Sequence, residues 1–312
     1  MRYKRKNHGI LFLTLNLMNN IAKKQNEQGS LKLLAAQRVL YSKAKKMKLW
    51  QVLTTIELPI LMTLLSIILP ALQPFIAIYN IFITIIDSFH TNKLKRELTQ
   101  RAALIQEKFD EYVLGIDTCS FEIYDKPIEE DITSLSSQYA DNKFIDLKDW
   151  YEKDISNLGL IEGQLFAQRT NTWWDGKLKD FYLNLIFWSF IIITLFICSL
   201  ALFFAIDFKS FILNFLLTLL PIFNFLIREY LDTKSSIEES KKVYNYIIKY
   251  SEKLKGNEIN EKEITNIIST GQILILRSRI HSVLIFDSFY KIYKNNFTSI
   301  VKSTLKNIIK KS

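Results

Sequence analysis

Glycine, proline, cysteine and histidine are all scarce, with 8 Gly, 5 Pro, 2 Cys and 3 His in 312 residues. So few turn formers disfavour strands and tight turns and leave long helices as the expected architecture. Cys119 falls in a polar stretch and Cys198 in an apolar one, so no disulfide is expected. His8, His90 and His281 show no metal-ligand spacing with the cysteines, and no metal or other cofactor is predicted. There is no Walker loop, dinucleotide fingerprint, HExxH or GxSxG. His281 in "RSRIHSVL" has no partner in sequence and reads as a packed or surface histidine. The chain is therefore not expected to be an enzyme.

What the chain has in quantity is apolar residues, 49% of the total, gathered into two pairs of runs. The first pair is Val52–Leu69 followed at once by Pro70–Ile86. The second is Phe181–Ile206, a short "DFKS", then Phe211–Ile227. At 1.5 Å per residue, eighteen residues extend about 27 Å, close to the roughly 30 Å hydrocarbon layer. Four spans in two hairpins are expected, with a re-entrant hairpin over 52–86 as the alternative, because turning at "LPALQP" leaves its second helix short.

Charge is distributed unevenly around these runs. Residues 1–51 hold twelve Lys/Arg against Glu27 alone, hence +11; 87–181 hold twelve against nineteen Asp/Glu, hence −7; 229–312 hold fifteen against nine, hence +6. Lys43, Lys45, Lys46 and Lys48 precede the first run, and Lys93, Lys95 and Arg96 follow the second. Lys177 and Lys179 precede the third, and Arg228 and Lys234 follow the fourth. This bias is expected to place both termini and all large polar segments in the cytoplasm of a multi-pass membrane protein. Trp173, Trp174 and Tyr182, beside Lys177 and Lys179, suit the headgroup belt. "MRYKRKNHGILFLTLNLM" has a basic start and a short apolar stretch, but Asn16 interrupts it and no small-x-small site follows. An interfacial or packing helix is expected there.

The resulting fold class is an all-α integral membrane protein. Its parts are a basic helical segment (1–51), a transmembrane hairpin (52–86), a helical and acidic segment (87–180), a second hairpin (181–227) and a C-terminal helical segment (228–312). The three polar segments are expected to form one cytoplasmic domain. Leu33, Leu34, Val39, Leu40 and Ala44 share a broad apolar face. Gly115 reads as a helix stop. A helix starting near Leu160 is expected to run straight into the third span, with Gly176 as its weak point, and two more helices close the chain.

Polar groups inside the spans form the first set of candidate site residues. Gln73, Asn80, Thr84 and Asp87, spaced 7, 4 and 3, lie within about 60° of one helix face. Asn214, Thr218, Asn224 and Arg228 cluster more loosely on the fourth helix, and Glu57 sits inside the first. Facing lipid would be costly, so these groups face protein or water. Two readings stand: hydrogen-bonding glue between helices, or the lining of a pore in a homo-oligomer.

The polar segments carry three further stretches in order: "LKLLAAQRVLYSKAKK" (Leu31 to Lys46), "RAALIQEKFDEYVLG" (Arg101 to Gly115) and "WYEKDISNLGLIEGQLFAQRTNTWWDGKL" (Trp150 to Leu178). Flanking two hydrophobic hairpins, this set resembles the four-transmembrane pore-forming effectors associated with SMODS nucleotidyltransferases in bacterial anti-phage systems. The resemblance runs from about Asn19 onward. Phe286-Asp287-Ser288-Phe289-Tyr290 looks like a degraded form of the family's C-terminal Pro-Asp-Trp-Phe-Tyr element. Ile116-Asp117-Thr118-Cys119 replaces its usual Leu-Pro-Trp-Asn. The resemblance implies an effector that stays quiet until a cyclic oligonucleotide made by a partner nucleotidyltransferase arrives, then permeabilises the membrane. Its other partners would be lipid and further copies of itself, not DNA.

A phosphate ligand needs Arg or Lys, and bases need aromatic faces. Arg169, Trp173 and Trp174, lying within two turns, and Arg38 with Tyr41 are the candidate signal-coupling residues. The competing reading is structural, with Arg169 paired to a carboxylate such as Glu162. A constitutive channel or transporter and a membrane scaffold are the alternative functions.

Overall fold

Unbroken apolar and strongly helix-forming stretches become helices almost everywhere in the computed structural model, which describes residues 19–118, 124–141, 143–204, 219–255 and 261–310. The basic N-terminal stretch, Cys119, Lys209, Asn214, Thr218 and the start of the fourth run lie outside these residues. After a single turn, α1 (Ile21–Lys24), comes α2 (Gln28–Val52), whose Leu33, Leu34, Leu40 and Ala44 are buried. It passes through a π-helical turn (Leu53–Glu57) into α3 (Leu58–Ile68). Pro70–Leu72 forms a 3₁₀ turn at the "LPALQP" reversal and leads into α4 (Gln73–Ile86). A second π-helical turn (Asp87–Thr91) joins α4 to α5 (Asn92–Leu114).

Helix α5 ends where expected. Gly115 sits at φ +67°, a left-handed conformation that a side chain would strain. The acidic stretch that follows contributes α6 (Glu129–Ser136) and two 3₁₀ turns. Helix α7 (Leu160–Phe203) is 44 residues long, about 66 Å, and carries the third apolar run with no break at Gly176. Then come α8 (Leu220–Lys255), α9 (Glu261–Ile280) and α10 (Asp287–Ile309).

Among the described residues, three helical stretches are long and apolar enough to cross a membrane: Gln28–Ser66, Pro70–Leu114 and Leu160–Phe203. All three continue into the polar half, so membrane and soluble parts share helices rather than meeting at loops. The main core lies in the polar half, where α2, α5, α7, α8, α9 and α10 bury Leu34, Phe109, Val113, Ile155, Phe166 and Leu305. A smaller core around Tyr182, Ile186, Ile222 and Phe225 holds the apolar half together. At Gly163 a Cβ would stand 2.4 Å from Asn19 Nδ2, which donates to the Ile155 carbonyl at 2.7 Å. This is a close approach that only glycine permits.

Candidate functional site

The two halves meet at a layer of buried charge. Lys48, at the end of α2, is fully buried. It pairs with Glu229 of α8 and donates to the Leu284 carbonyl at 2.6 Å. Its ammonium also lies 4.6 Å from the Tyr182 ring, and the Tyr182 hydroxyl donates to Glu229 Oε1 at 2.9 Å. Burial alone would raise the Glu229 carboxyl, but Lys48 and Lys95 outweigh it and hold the carboxyl below its usual value. Lys95 is pushed down to about 8, chiefly by burial and only partly offset by Glu229.

One turn deeper, Gln51 Nε2 donates to Asp87 Oδ1 at 2.5 Å, and Arg228 Nη2 meets Asp87 Oδ2 at 2.5 Å. Lys95 Nζ closes the set by donating to Gln51 Oε1 at 3.0 Å. The two π-helical turns begin at this level, one just past Gln51 and the other at Asp87. π-Helical segments are rare and gather at functional sites because they interrupt the regular hydrogen-bond ladder. Here they interrupt both strands of the first hairpin where it joins the polar half.

The polar span residues separate into distinct environments. Asp87 is buried between helices of the same chain, as above. Asn80 is also fully buried, but its side-chain oxygen and nitrogen have no hydrogen-bond partner among the described residues. The Thr84 hydroxyl donates to the Asn80 carbonyl of its own helix at 2.7 Å. Gln73 is half-buried, Asn224 reaches Ser88 Oγ at 3.5 Å, and Glu57 is exposed. Cross-helix bonding in this region comes from Gln51, Asp87 and Arg228, with the Tyr79 hydroxyl donating to the Thr54 carbonyl at 3.2 Å.

The aromatics before the third run pack against neighbouring helices. Trp173 and Trp174 both pack edge-on against Phe297 of α10, with centroids 5.3 and 5.2 Å away, and Trp174 also meets Tyr290 at 5.8 Å. Tyr182 is buried against Glu229, and Lys179 is buried against Asp175 and Ser240. The expected belt is therefore largely a packing surface for α8 and α10, because a helix this long meets its neighbours before it reaches the apolar half. Lys177 alone of the pair stays exposed.

Beside Trp173 a small cleft of about 90 Å³ opens between α7, α8 and α10, lined by Phe166, Arg169, Thr170, Trp173, Tyr244 and Thr304. Arg169 is half-buried and its guanidinium pairs with no carboxylate among the described residues, Glu162 included. Arg38 is likewise half-buried and pairs with no carboxylate among the described residues. It lies near enough to Tyr290 and Tyr139 to oppose the burial that raises both hydroxyls. Tyr41 instead donates to Gln106 Oε1 at 3.3 Å and is pushed up to about 12 by burial, so it is a packing residue. Of the candidate signal-coupling residues, Arg169 and Trp173 line the cleft together, whereas Arg38, Tyr41 and Trp174 do not. A guanidinium beside an aromatic ring can hold a phosphate and a stacked base.

A third network escapes the sequence. Arg279 of α9 bonds Asp110 Oδ2 at 2.6 Å and lies 3.8 Å from Glu107, both fully buried on α5. Gln272 donates to Glu107 Oε2 at 2.9 Å, and Gln168 of α7 reaches Gln272 at 3.2 Å and the Ile268 carbonyl at 2.9 Å. Burial raises Glu107 to about 8 against the pull of Arg279. The one sequence signal was Glu107 and Asp110 at i, i+3, which puts two acids on the face of a helix that also carries Ala103 and Leu114.

Comparison with known proteins follows the same outline. A probable CBASS effector molecule of Bacillus cereus (strain VD146) is 24% identical over 283 residues, covering 86% of this chain and 90% of the relative. No solved structure matches the chain. The family model for the SMODS-associating 4TM effector domain matches residues 19–308, from the Asn19 that braces Gly163 to the last turn of α10. The chain belongs to the SMODS-associating 4TM effector domain family.

Proposed function

We propose that this effector rests closed in the inner membrane until a cyclic oligonucleotide, made by a partner nucleotidyltransferase, binds its polar half. It then permeabilises the membrane without any catalytic step of its own. The observation that carries this reading is the continuity of α7. One helix runs without a break from the cleft at Arg169 and Trp173 through the charge layer at Lys179 and Tyr182 to Phe203 in the third apolar run. At 1.5 Å per residue, Arg169 lies about 18 Å from Phe181 along the axis, so a ligand that shifts the helix in the cleft shifts the span. Family membership supports the nucleotide signal, and the excess of Lys and Arg beside the spans supports cytoplasmic termini.

The test is dye release from liposomes carrying the full-length protein, challenged with a panel of cyclic dinucleotides and cyclic trinucleotides, beside binding calorimetry on the same panel. Release with one of these, lost in Arg169→Ala, is the expected result. Binding of none of them, or binding without release, would overturn the reading. For topology, cysteine labelling should place residues near 5, 130 and 300 in the cytoplasm and residue 208 outside. Labelling of residue 130 from outside would refute the two-hairpin arrangement.

A further inference from the structure

Three polar groups line the cleft beside Trp173 without partners. Arg169 and Thr170 come from α7 and Tyr244 from α8, and all three are half-buried. The Arg169 guanidinium and the Thr170 and Tyr244 hydroxyls make no hydrogen bond or ion pair among the described residues. Thr170 differs in this from other threonines of its helix. Thr172 and Thr194 donate to carbonyls one turn back, at 3.0 and 2.8 Å, which satisfies a helical hydroxyl locally. On α10, Thr304 donates to the Ile300 carbonyl in the same way, at 2.9 Å. The lining thus offers a guanidinium and two unused hydroxyl donors, and no acidic side chain stands among its residues. Donors of this kind match an anion.

Size narrows the anion. At about 90 Å³ the cleft is well below the roughly 300–1,000 Å³ of a pocket that encloses a drug-sized ligand. A nucleobase is too large to be enclosed, and Phe297 already packs on Trp173. A single phosphoryl group, compact and rich in acceptor oxygens, matches both the volume and the donors. We infer that the cleft is a seat for one phosphate, held by Arg169, Thr170 and Tyr244, and that it reads the phosphodiester of its ligand and not the base. Helix α7 carries the third apolar run and α8 begins inside the fourth. A phosphate held between Arg169 and Tyr244 therefore ties together the two helices of the second hairpin. That a cyclic oligonucleotide bears the phosphate rests on the function proposed above; the seat itself does not.

The experiment uses the full-length chain in detergent. Melting is followed in sodium phosphate against sodium chloride at matched pH and ionic strength. Phosphate should raise the melting temperature of the parent, and the rise should vanish in Arg169→Ala and shrink in Tyr244→Phe, which keeps the ring. General stabilisation by an excluded salt would act on all three proteins alike, so an equal rise in all of them, or none in the parent, would overturn the seat. Calorimetry with the cyclic dinucleotide and trinucleotide panel is the second arm. Whichever compound binds should lose about tenfold or more in affinity in Arg169→Ala and several-fold in Tyr244→Phe. Inorganic phosphate should compete with it, and adenosine or uridine should not. Binding that ignores both changes would refute the seat and leave the proposed signal standing. Phosphate protection through Arg169 with no cyclic nucleotide bound supports the seat and refutes the signal instead.

Discussion

Arg228, on the helix leaving the fourth apolar run, grips Asp87, at the end of the second, with Nη2 2.5 Å from Oδ2. Asp87 is 2% exposed and also accepts from Gln51, so three segments distant in sequence are tied at one carboxylate. Removing one partner of a buried pair strands the other charge, which typically costs about 3–5 kcal/mol. Asp87→Asn is therefore expected to lower the melting temperature in detergent and to cause leak without any signal. Asp87→Asn with Arg228→Gln should recover much of the stability, since neither charge is then stranded. A double-mutant cycle by thermal melting measures the coupling, and additive losses would show that the pair is not a unit.

Asn80 should behave in the opposite way. An amide buried without partners carries a desolvation cost of about 1–3 kcal/mol. Asn80→Leu is expected to be neutral or stabilising by about 1 kcal/mol. If the amide acted as glue between helices, the same change would instead lower stability by roughly 0.6–2 kcal/mol. Melting of the purified variant, with insertion checked by carbonate extraction, separates these.

Arg169 pairs with no carboxylate among the described residues, so its loss should spare stability. Arg169→Ala is expected to melt within about 0.5 kcal/mol of the parent, as for a surface substitution, yet to lose cyclic nucleotide response in the leakage assay. Lys179→Ala is the contrasting control. It removes a fully buried ammonium bonded to Asp175 and Ser240 and should destabilise the fold. A large loss of stability in Arg169→Ala would make that arginine structural.

At Gly176 an added Cβ would lie 3.8 Å from the Ser240 Cβ, an ordinary contact. Gly176→Ala should therefore stabilise α7 by up to about 1 kcal/mol through helix propensity. If α7 transmits the signal by bending there, the same change raises the cyclic nucleotide concentration needed for release. An unchanged threshold would show that the helix moves as a rod.

Glu107 imposes a pH dependence whose sign is set by its raised value. In the unfolded chain it ionises near 4.5, and in the folded protein near 8. Between these values the folded state holds a proton that the unfolded state has lost. This contribution to stability is full below about 4.5 and disappears as pH rises through about 8. Glu107→Gln should keep the Gln272 contact and remove this component. The variant's melting temperature should fall less than the parent's between pH 5 and 9, measured in the same detergent.

Much of the architecture was legible because it follows from one-dimensional rules. Run length, the lack of glycine and proline, and the Pro70 turn sufficed to read the helices of the first hairpin, and Gly115 marked the end of α5. The continuous passage from Leu160 into the third run was also legible, since nothing between Arg169 and Phe181 breaks a helix. Arg169 and Trp173 emerged as a pair because i, i+4 spacing places them on one face.

Pairing between distant segments was not legible. Lys48 and Lys179 look like membrane-flanking lysines in sequence, where only the neighbouring apolar run is visible. The fold buries them because Glu229, Asp175 and Ser240 come from other helices or other turns. Trp173 and Trp174 likewise carry the composition of a headgroup belt, and only the arrival of Phe297 on α10 turns them into a core. Along the stripe of Gln73, Asn80, Thr84 and Asp87, only Asn80 and Asp87 are buried, and the meaning of each depends on which helix it meets. Helical periodicity is a property of one chain segment and shows in the sequence. Partner choice depends on which desolvated charge finds which counter-charge across the bundle, and that is decided only when the helices pack.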